Sequence, residues 1–410
     1  MLTFFVIFAQ DFILCYQDNI SMKKIVIASD SFKGSLSSAE VAEAAADGIR
    51  SIYPACEIIS LVLGDGGEGT CNAIADTMTC EWVSISAKDP IGRGCNVRYA
   101  LHTDSEGLTA IIEMAQASGI TLLASEELDP LKTSTFGTGQ MILDAFERGC
   151  RRFIIGLGGS ATNDGGTGML EALGFRFMDR TGRLINGCCG QKLHEITSID
   201  TSMVPEELLS SSFTVVCDVE TPFYGKQGAT RVFAPQKGAS ASDIENLESG
   251  MQSFASIVMS KYGIDLGKTE GSGAAGGTGG ALHAFLNGKL RKGADLILDA
   301  VRFEEIIENA DLVITGEGRI DSQTFRGKLP SRVLNRADRK GIPVLAIAGL
   351  IDLSDEAIAN SGFVSILAIQ PTPASPEELA SAMNPSTTAE NIRNTIINYL
   401  HHFDKTRDSL

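Results

Sequence analysis

The chain holds a single tryptophan and five histidines, and none of its nine cysteines stands in a CxxC or Cys/His metal spacing. Zinc modules and thioredoxin-type redox motifs are therefore absent. The histidines, at 102, 194, 283, 401 and 402, show no ligand spacing and form no Ser-His-Asp or Cys-His pattern. Positive charge is also scarce. Thirty-four Lys and Arg face 51 Asp and Glu, a net charge of −17, which repels nucleic acid and anionic membrane surfaces. GxxxxGK[ST] does not occur, and the strings with GxGxxG spacing, Gly64–Gly69 and Gly271–Gly276, make no proper dinucleotide fingerprint. The apolar start, Met1–Ile20, is broken by Asp11 and Asp18 and lacks both a basic leading region and a small-residue cleavage site. It reads as neither a membrane span nor a signal peptide. Met22 is followed at once by the strand-like KKIVIA, so the expected start is Met22, with residues 1–21 an unstructured upstream extension.

What remains is an ordinary globular composition, 43% hydrophobic and 21% charged, in 410 residues, a length that favours two domains. The cysteines are expected to be reduced thiols of a cytoplasmic protein, with Cys188 and Cys189 an inert loop pair and Trp82 a core residue. Strand-like runs at Lys24–Ala28 and Ile58–Leu63 enclose a helix at Ala39–Ile52 introduced by Ser37 and Ser38. Apolar runs return at Asp311–Thr315, Val344–Ala348 and Phe363–Ile369, each suited to a strand covered on both faces. The middle differs, with alternating strands at Glu81–Ser86 and Asn96–Leu101 and a helix start near Gly137. The predicted fold is α/β: a doubly wound, mostly parallel Rossmann-like domain from 22–78 and 287–405, with a mixed α+β domain inserted over 79–286.

Glycine is in excess: 43 residues, about half again the usual share of roughly 7%. Much of it falls in five loops that follow apolar runs: Asp30–Ser35, Gly64–Thr70, Gly158–Gly168, Gly271–Gly280 and Thr315–Asp321. Such turns expose backbone N–H groups, and a following helix N-terminus adds partial positive charge, a combination suited to phosphate. Phosphoryl transfer also needs magnesium, cations on the moving phosphate and a base beside the attacking hydroxyl. Asp65, Asp164, Asp218 and Asp321 supply carboxylates; Lys33, Lys237, Arg319 and Lys328 supply cations. Structural roles stand beside these: Asp164 as a helix cap, Asp65 as an Asx turn, Asp218 as a strand end, Arg319 in an ion pair with Glu317 or Asp321.

At these loops the chain resembles the bacterial glycerate kinase family. The matching stretches are Ile27–Leu36 (IASDSFKGSL), Asp65–Thr70 (DGGEGT), Ile112–Gly119 (IEMAQASG) and Gly156–Gly166 (GLGGSATNDGG). Further on come Cys217–Val219, Phe233–Gly238 (FAPQKG), Gly273–Gly277 (GAAGG) and Asp311–Asp321 (DLVITGEGRID). The resemblance runs from Met22 to the final helix. It departs mildly where the family reads Ala-Pro-Asp and this chain has Ala28, Ser29 and Asp30, and in the stretch Asp218–Pro222. It implies ATP and magnesium as cofactors and D-glycerate as substrate, phosphorylated at the 2-hydroxyl, with the 3-hydroxyl as the alternative. Lys33, Arg319, Asp218 and Asp321 are the expected catalytic residues, and Asp65 and Asp164 the magnesium ligands. Ser31, Gly34, Gly66, Gly67, Gly158, Gly159, Ser160, Thr162, Asn163, Gly165, Gly166, Lys237, Gly276 and Gly277 are expected to bind nucleotide or substrate. A non-catalytic sensor with the same cleft, a phosphatase, and a kinase for another sugar acid are the competing readings; activity without ATP marks the phosphatase and a substrate screen separates the kinases.

Overall fold

The computed structural model describes residues 22–63, 70–370, 375, 378 and 381–408. The expected upstream extension and the second glycine loop, with Asp65, Gly66 and Gly67, lie outside the described residues. Two compact units emerge, one drawn from Met1–Asp65 and Ile297–Leu410, the other from Gly66–Leu296. Among the described residues no helix is long and apolar enough to cross a membrane.

The strands in chain order are β1 (Lys24–Ser29), β2 (Glu57–Val62), β3 (Cys80–Lys88), β4 (Gly94–Asp104), β5 (Gly107–Glu113), β6 (Arg152–Gly156) and β7 (Arg176–Met178). They continue with β8 (Leu184–Ile185), β9 (Ser198–Asp200), β10 (Ser212–Val216), β11 (Lys289–Arg291), β12 (Leu312–Ile320), β13 (Val344–Ile351) and β14 (Ser365–Ala368).

The unit made from both chain ends carries a five-stranded sheet in the order β14-β13-β12-β1-β2. Every pairing in it is parallel. β1 and the first half of β12 are buried almost throughout, the pattern of strands with both faces covered. Strand order reverses between β1, which leads to β2 on one side, and β12 on the other. Loops at the carboxyl ends of such a switch point diverge and leave a crevice. The helix Ser38–Ile52 follows β1 because Ser37 starts it with a reciprocal cap: its Oγ accepts from Glu40 N at 3.3 Å and Glu40 Oε2 accepts from Ser37 N at 2.8 Å. Val41, Ala45 and Ile49, four residues apart, are fully buried against the sheet side of the unit. Replacing Ser37 with Ala should lower stability by about 1 kcal/mol in urea unfolding, without touching catalysis.

The other unit is built on a six-stranded sheet ordered β11-β10-β6-β5-β4-β3. β3, β4 and β5 pair antiparallel, and β5, β6, β10 and β11 pair parallel. A small three-stranded sheet, β8-β7-β9, completes it. Phe153 on β6 stacks on Phe213 of β10, ring centroids 4.6 Å apart, in a continuous apolar core. Boundaries differ from those the sequence predicts. The helix Thr70–Thr77 packs on β5 and β6, and β11 pairs with β10, so both belong to this unit and not to the one made from the chain ends. Trp82 is a correction too. It lies on the edge strand β3, 39% exposed, with the Arg98 guanidinium 4.4 Å from its ring centroid. The described cysteines are free thiols, and Cys188 and Cys189 lie buried in a loop.

Candidate active site

In the unit made from the chain ends, a cavity of about 330 Å³ opens at the switch point. Asp30, Ser31 and Lys33 reach it from the loop after β1, Glu317 and Arg319 from the end of β12, and Lys328 from the segment beyond. Asp30 is 4% exposed and its Oδ1 accepts from Ser31 N at 2.6 Å, which shapes the turn that presents Lys33. Gly34 completes that turn with φ +82°, a left-handed value that suits glycine. Glu317 is 6% exposed; its Oε1 accepts from Thr324 Oγ1 at 2.5 Å and its Oε2 meets Lys328 Nζ at 3.2 Å. Burial raises the Glu317 pKa, while the Thr324 hydrogen bond and the Lys328 charge oppose the rise.

Arg319 lines the same cavity but is exposed, and it pairs with Asp352 and, at 3.7 Å, with Asp321 Oδ2. Asp321 itself is not among the lining residues. Its Oδ1 accepts from Gln323 N at 2.8 Å, so it closes a turn and holds Arg319.

The second unit has its own cavity, about 320 Å³, at the carboxyl ends of β6 and β10. Gly158, Gly159 and Ser160 line it from one loop, Cys217 and Asp218 from another, and Lys237 and Ala275 from two more. Lys237 is 2% exposed and donates to Ser160 Oγ at 2.8 Å and to the Thr162 carbonyl at 2.7 Å. Those two acceptors are neutral, so burial pulls its pKa down from 10.5 to about 7, against the pull of the Asp164 charge. Asp218 stands exposed at the end of β10, with Oδ1 accepting from Gly293 N at 2.9 Å.

The glycine loop Gly158–Gly168 is organised from within. Asp164 is fully buried: Oδ2 accepts from Thr135 N, Thr135 Oγ1 and Gly168 N at 2.8, 2.8 and 3.2 Å, and Oδ1 from Gly166 N at 3.0 Å. Of the two roles the sequence left open, capping is the one its geometry fits; a metal ligand needs lone pairs turned to the ion. Gly165 N donates to the Gly276 carbonyl at 2.9 Å. A side chain on Gly276, where φ is +63°, would lie 2.1 Å from the Thr162 carbonyl oxygen. Gly165, Gly166, Gly276 and Gly277 thus let two loops stack on each other, and their N–H groups at 165 and 166 are already bonded within the protein. Buried polar atoms are left over beside them: among the described residues Thr162 Oγ1 and Asn163 Oδ1 have no hydrogen-bond partner, although Asn163 Nδ2 donates to Thr230 Oγ1 at 3.1 Å.

Lys33, Ser31 and Arg319 therefore share one cavity, and Gly158, Gly159, Ser160, Asp218 and Lys237 share the other. Asp30 and Glu317 join the site beyond the residues the sequence points to; the signal for Glu317 is a carboxylate soon after the apolar run Leu312–Ile314 of a buried strand.

Two α/β units each carry a cation-bearing cavity at strand carboxyl ends, where open α/β sheets bind ligands. Residues 25–401 match the model of the glycerate kinase family, and the chain belongs to that family. It is similar to a glycerate kinase of Bacillus subtilis (strain 168), 43% identical over 348 residues that cover 85% of this chain and 90% of that one. A glycerate 2-kinase of Escherichia coli (strain K12) is 43% identical over 350 residues, 84% of this chain and 90% of that one. The crystal structure of a candidate glycerate kinase 2 from Salmonella typhimurium LT2 superposes with a TM-score of 0.78 at 40% identity, covering 95% of this chain and all of that one.

Proposed function

We propose that the chain transfers the γ-phosphoryl group of ATP to D-glycerate, with the 2-hydroxyl as acceptor. The observation that carries this reading is the switch-point cavity, which sets Lys33, Arg319 and Lys328 against the buried carboxylates of Asp30 and Glu317. A hydroxy acid needs both kinds of group: cations for its carboxylate and acceptors for its hydroxyls. The choice of the 2-hydroxyl rests on the Escherichia coli relative named glycerate 2-kinase.

The second unit's cavity suits the nucleotide phosphates. Lys237 directs two of its three protons to protein acceptors, which orients its ammonium beside the Gly158–Ser160 turn. Among the described residues no group of three or more His, Cys, Asp or Glu is placed to cage a metal ion. Asp218, the carboxylate on this cavity's wall, would be the protein group to hold a magnesium ion there. ATP supplies the phosphoryl group and magnesium offsets its charge; the chain's residues orient the acceptor, exclude water and handle the proton.

The test is ADP release from ATP, magnesium and D-glycerate by full-length protein, with the product identified by NMR. A 2-phosphoglycerate product supports the reading in full, and 3-phosphoglycerate corrects the acceptor. ATP without transfer to glycerate, on a folded protein, removes the substrate assignment. Lys33→Met should cut kcat/KM for D-glycerate at least tenfold, about 1.4 kcal/mol or more of lost transition-state binding, with an unchanged melting curve.

A further inference from the structure

We propose that Glu317 is the base that accepts the proton of the substrate hydroxyl, and that Thr324 and Lys328 are its positioning partners. This rests on the reading of the switch-point cavity as the D-glycerate site. Glu317 sits in the C-terminal half of β12, beside the reversal of strand order, and opens into that cavity while staying 6% exposed. Each carboxylate oxygen is held by one partner from the following segment, Oε1 by Thr324 Oγ1 at 2.5 Å and Oε2 by Lys328 Nζ at 3.2 Å. That grip fixes the rotamer and leaves further lone-pair directions on both oxygens. Its backbone is held by the ladder, in which Glu317 pairs with Ala348 of β13.

The groups that face Glu317 explain its role better than an ion pair alone. Asp30 and Lys33 approach from the loop after β1, Arg319 and Asp321 from β12 and the turn beyond it, and Lys328 from the start of the next helix. The lining residues of β13, Gly349 and Leu350, and those past β14, Ile369 and Gln370, carry no charge. Asp30 is the other buried carboxylate; it lies on the loop after β1, where its Oδ1 accepts from the Ser31 N–H that shapes the Lys33 turn, whereas Glu317 stands on the strand itself. Glu317 combines low exposure, an affinity for protons raised by burial and a place on a rigid strand, properties that suit a general base.

In the step proposed, the O–H bond of the acceptor hydroxyl breaks and its proton passes to a Glu317 carboxylate oxygen. The alcohol oxygen forms a bond to the γ-phosphorus of ATP, and the bond from that phosphorus to the β,γ-bridging oxygen breaks, its electron pair leaving with ADP. Glu317 then returns its proton to solvent.

The test compares wild type, Glu317→Gln, Glu317→Asp and Thr324→Val as full chains with ATP, magnesium and D-glycerate, across pH, with melting curves as a fold control. The expected result for Glu317→Gln is kcat about 100-fold lower, KM for D-glycerate within about threefold of wild type, and loss of the acid limb of the kcat–pH profile. Glu317→Asp should keep that limb at reduced kcat. Thr324→Val should lower kcat about tenfold and move the limb upward, because a hydrogen bond that favours the charged carboxylate is gone; Thr324→Ser should restore both. If wild type turns over D-glycerate and Glu317→Gln keeps its kcat or its acid limb, the base assignment falls while the activity stands. If wild type does not phosphorylate D-glycerate at all, the activity reading falls and the base assignment with it.

Discussion

Lys237→Met should lower kcat/KM for ATP by about 100- to 1,000-fold while leaving the protein at least as stable in alkaline urea titrations relative to its own acid value. The first half follows from removing a buried, oriented ammonium from the cavity proposed for phosphate, where a charge-assisted contact is strong and cannot be replaced by water. The second half follows from proton linkage. The Lys237 pKa is about 7 in the folded chain and about 10.5 in an unfolded one. Below pH 7 both states carry the proton, and the full cost of burying the charge stands. Between about 7 and 10.5 the folded chain alone has released it, so stability climbs with pH, by about 2–3 kcal/mol from pH 6 to 9. The variant should lack that climb. At pH 6 it loses the bonds to Ser160 and Thr162 but also the burial cost, two effects of similar size and opposite sign. ATP affinity of the free wild-type enzyme should weaken above pH 7 by up to tenfold per pH unit, and the variant's should stay flat. A wild-type binding profile flat through pH 9 would remove Lys237 from the phosphate site.

Asp164→Ala should destabilise the unit it belongs to by about 3–5 kcal/mol, seen as a melting temperature lower by about 10 °C. Three N–H groups and one hydroxyl, from Thr135, Gly166 and Gly168, would lose their acceptor in a fully buried setting that water does not reach. A magnesium-ligand role predicts something else: an intact melting curve and a lost response to magnesium. Calorimetry with and without magnesium separates the two. A variant that melts like wild type but no longer depends on magnesium would return Asp164 to the metal site.

The two residues show where reading the sequence reaches and where it stops. Asp164 was legible as a charged group inside a glycine loop and Lys237 as a cation in the stretch Phe233–Gly238, but their work depends on distant partners. Asp164 takes two of its bonds from Thr135, and Lys237 reaches back to Ser160 and Thr162. Sequence spacing carries no record of such long-range closures. The same limit applies to Arg319, whose ion pair joins it to Asp352 at the end of β13, and to Gly276, whose missing side chain matters only because Thr162 lies against it.

By itself the sequence determined the α/β class, most strands of the parallel sheet, the capped first helix and the family, because apolar periodicity, capping chemistry and loop motifs are local properties of the chain. Tertiary structure alone decided which loop residues share a cavity. It placed Lys33 with Arg319 and Glu317, and Lys237 with Asp218, and it turned Asp164 and the glycines at 165, 166, 276 and 277 inward to hold two loops together. The physical reason is burial: a charged or flexible residue acquires its role from the groups that replace water around it, and those groups are chosen by the fold.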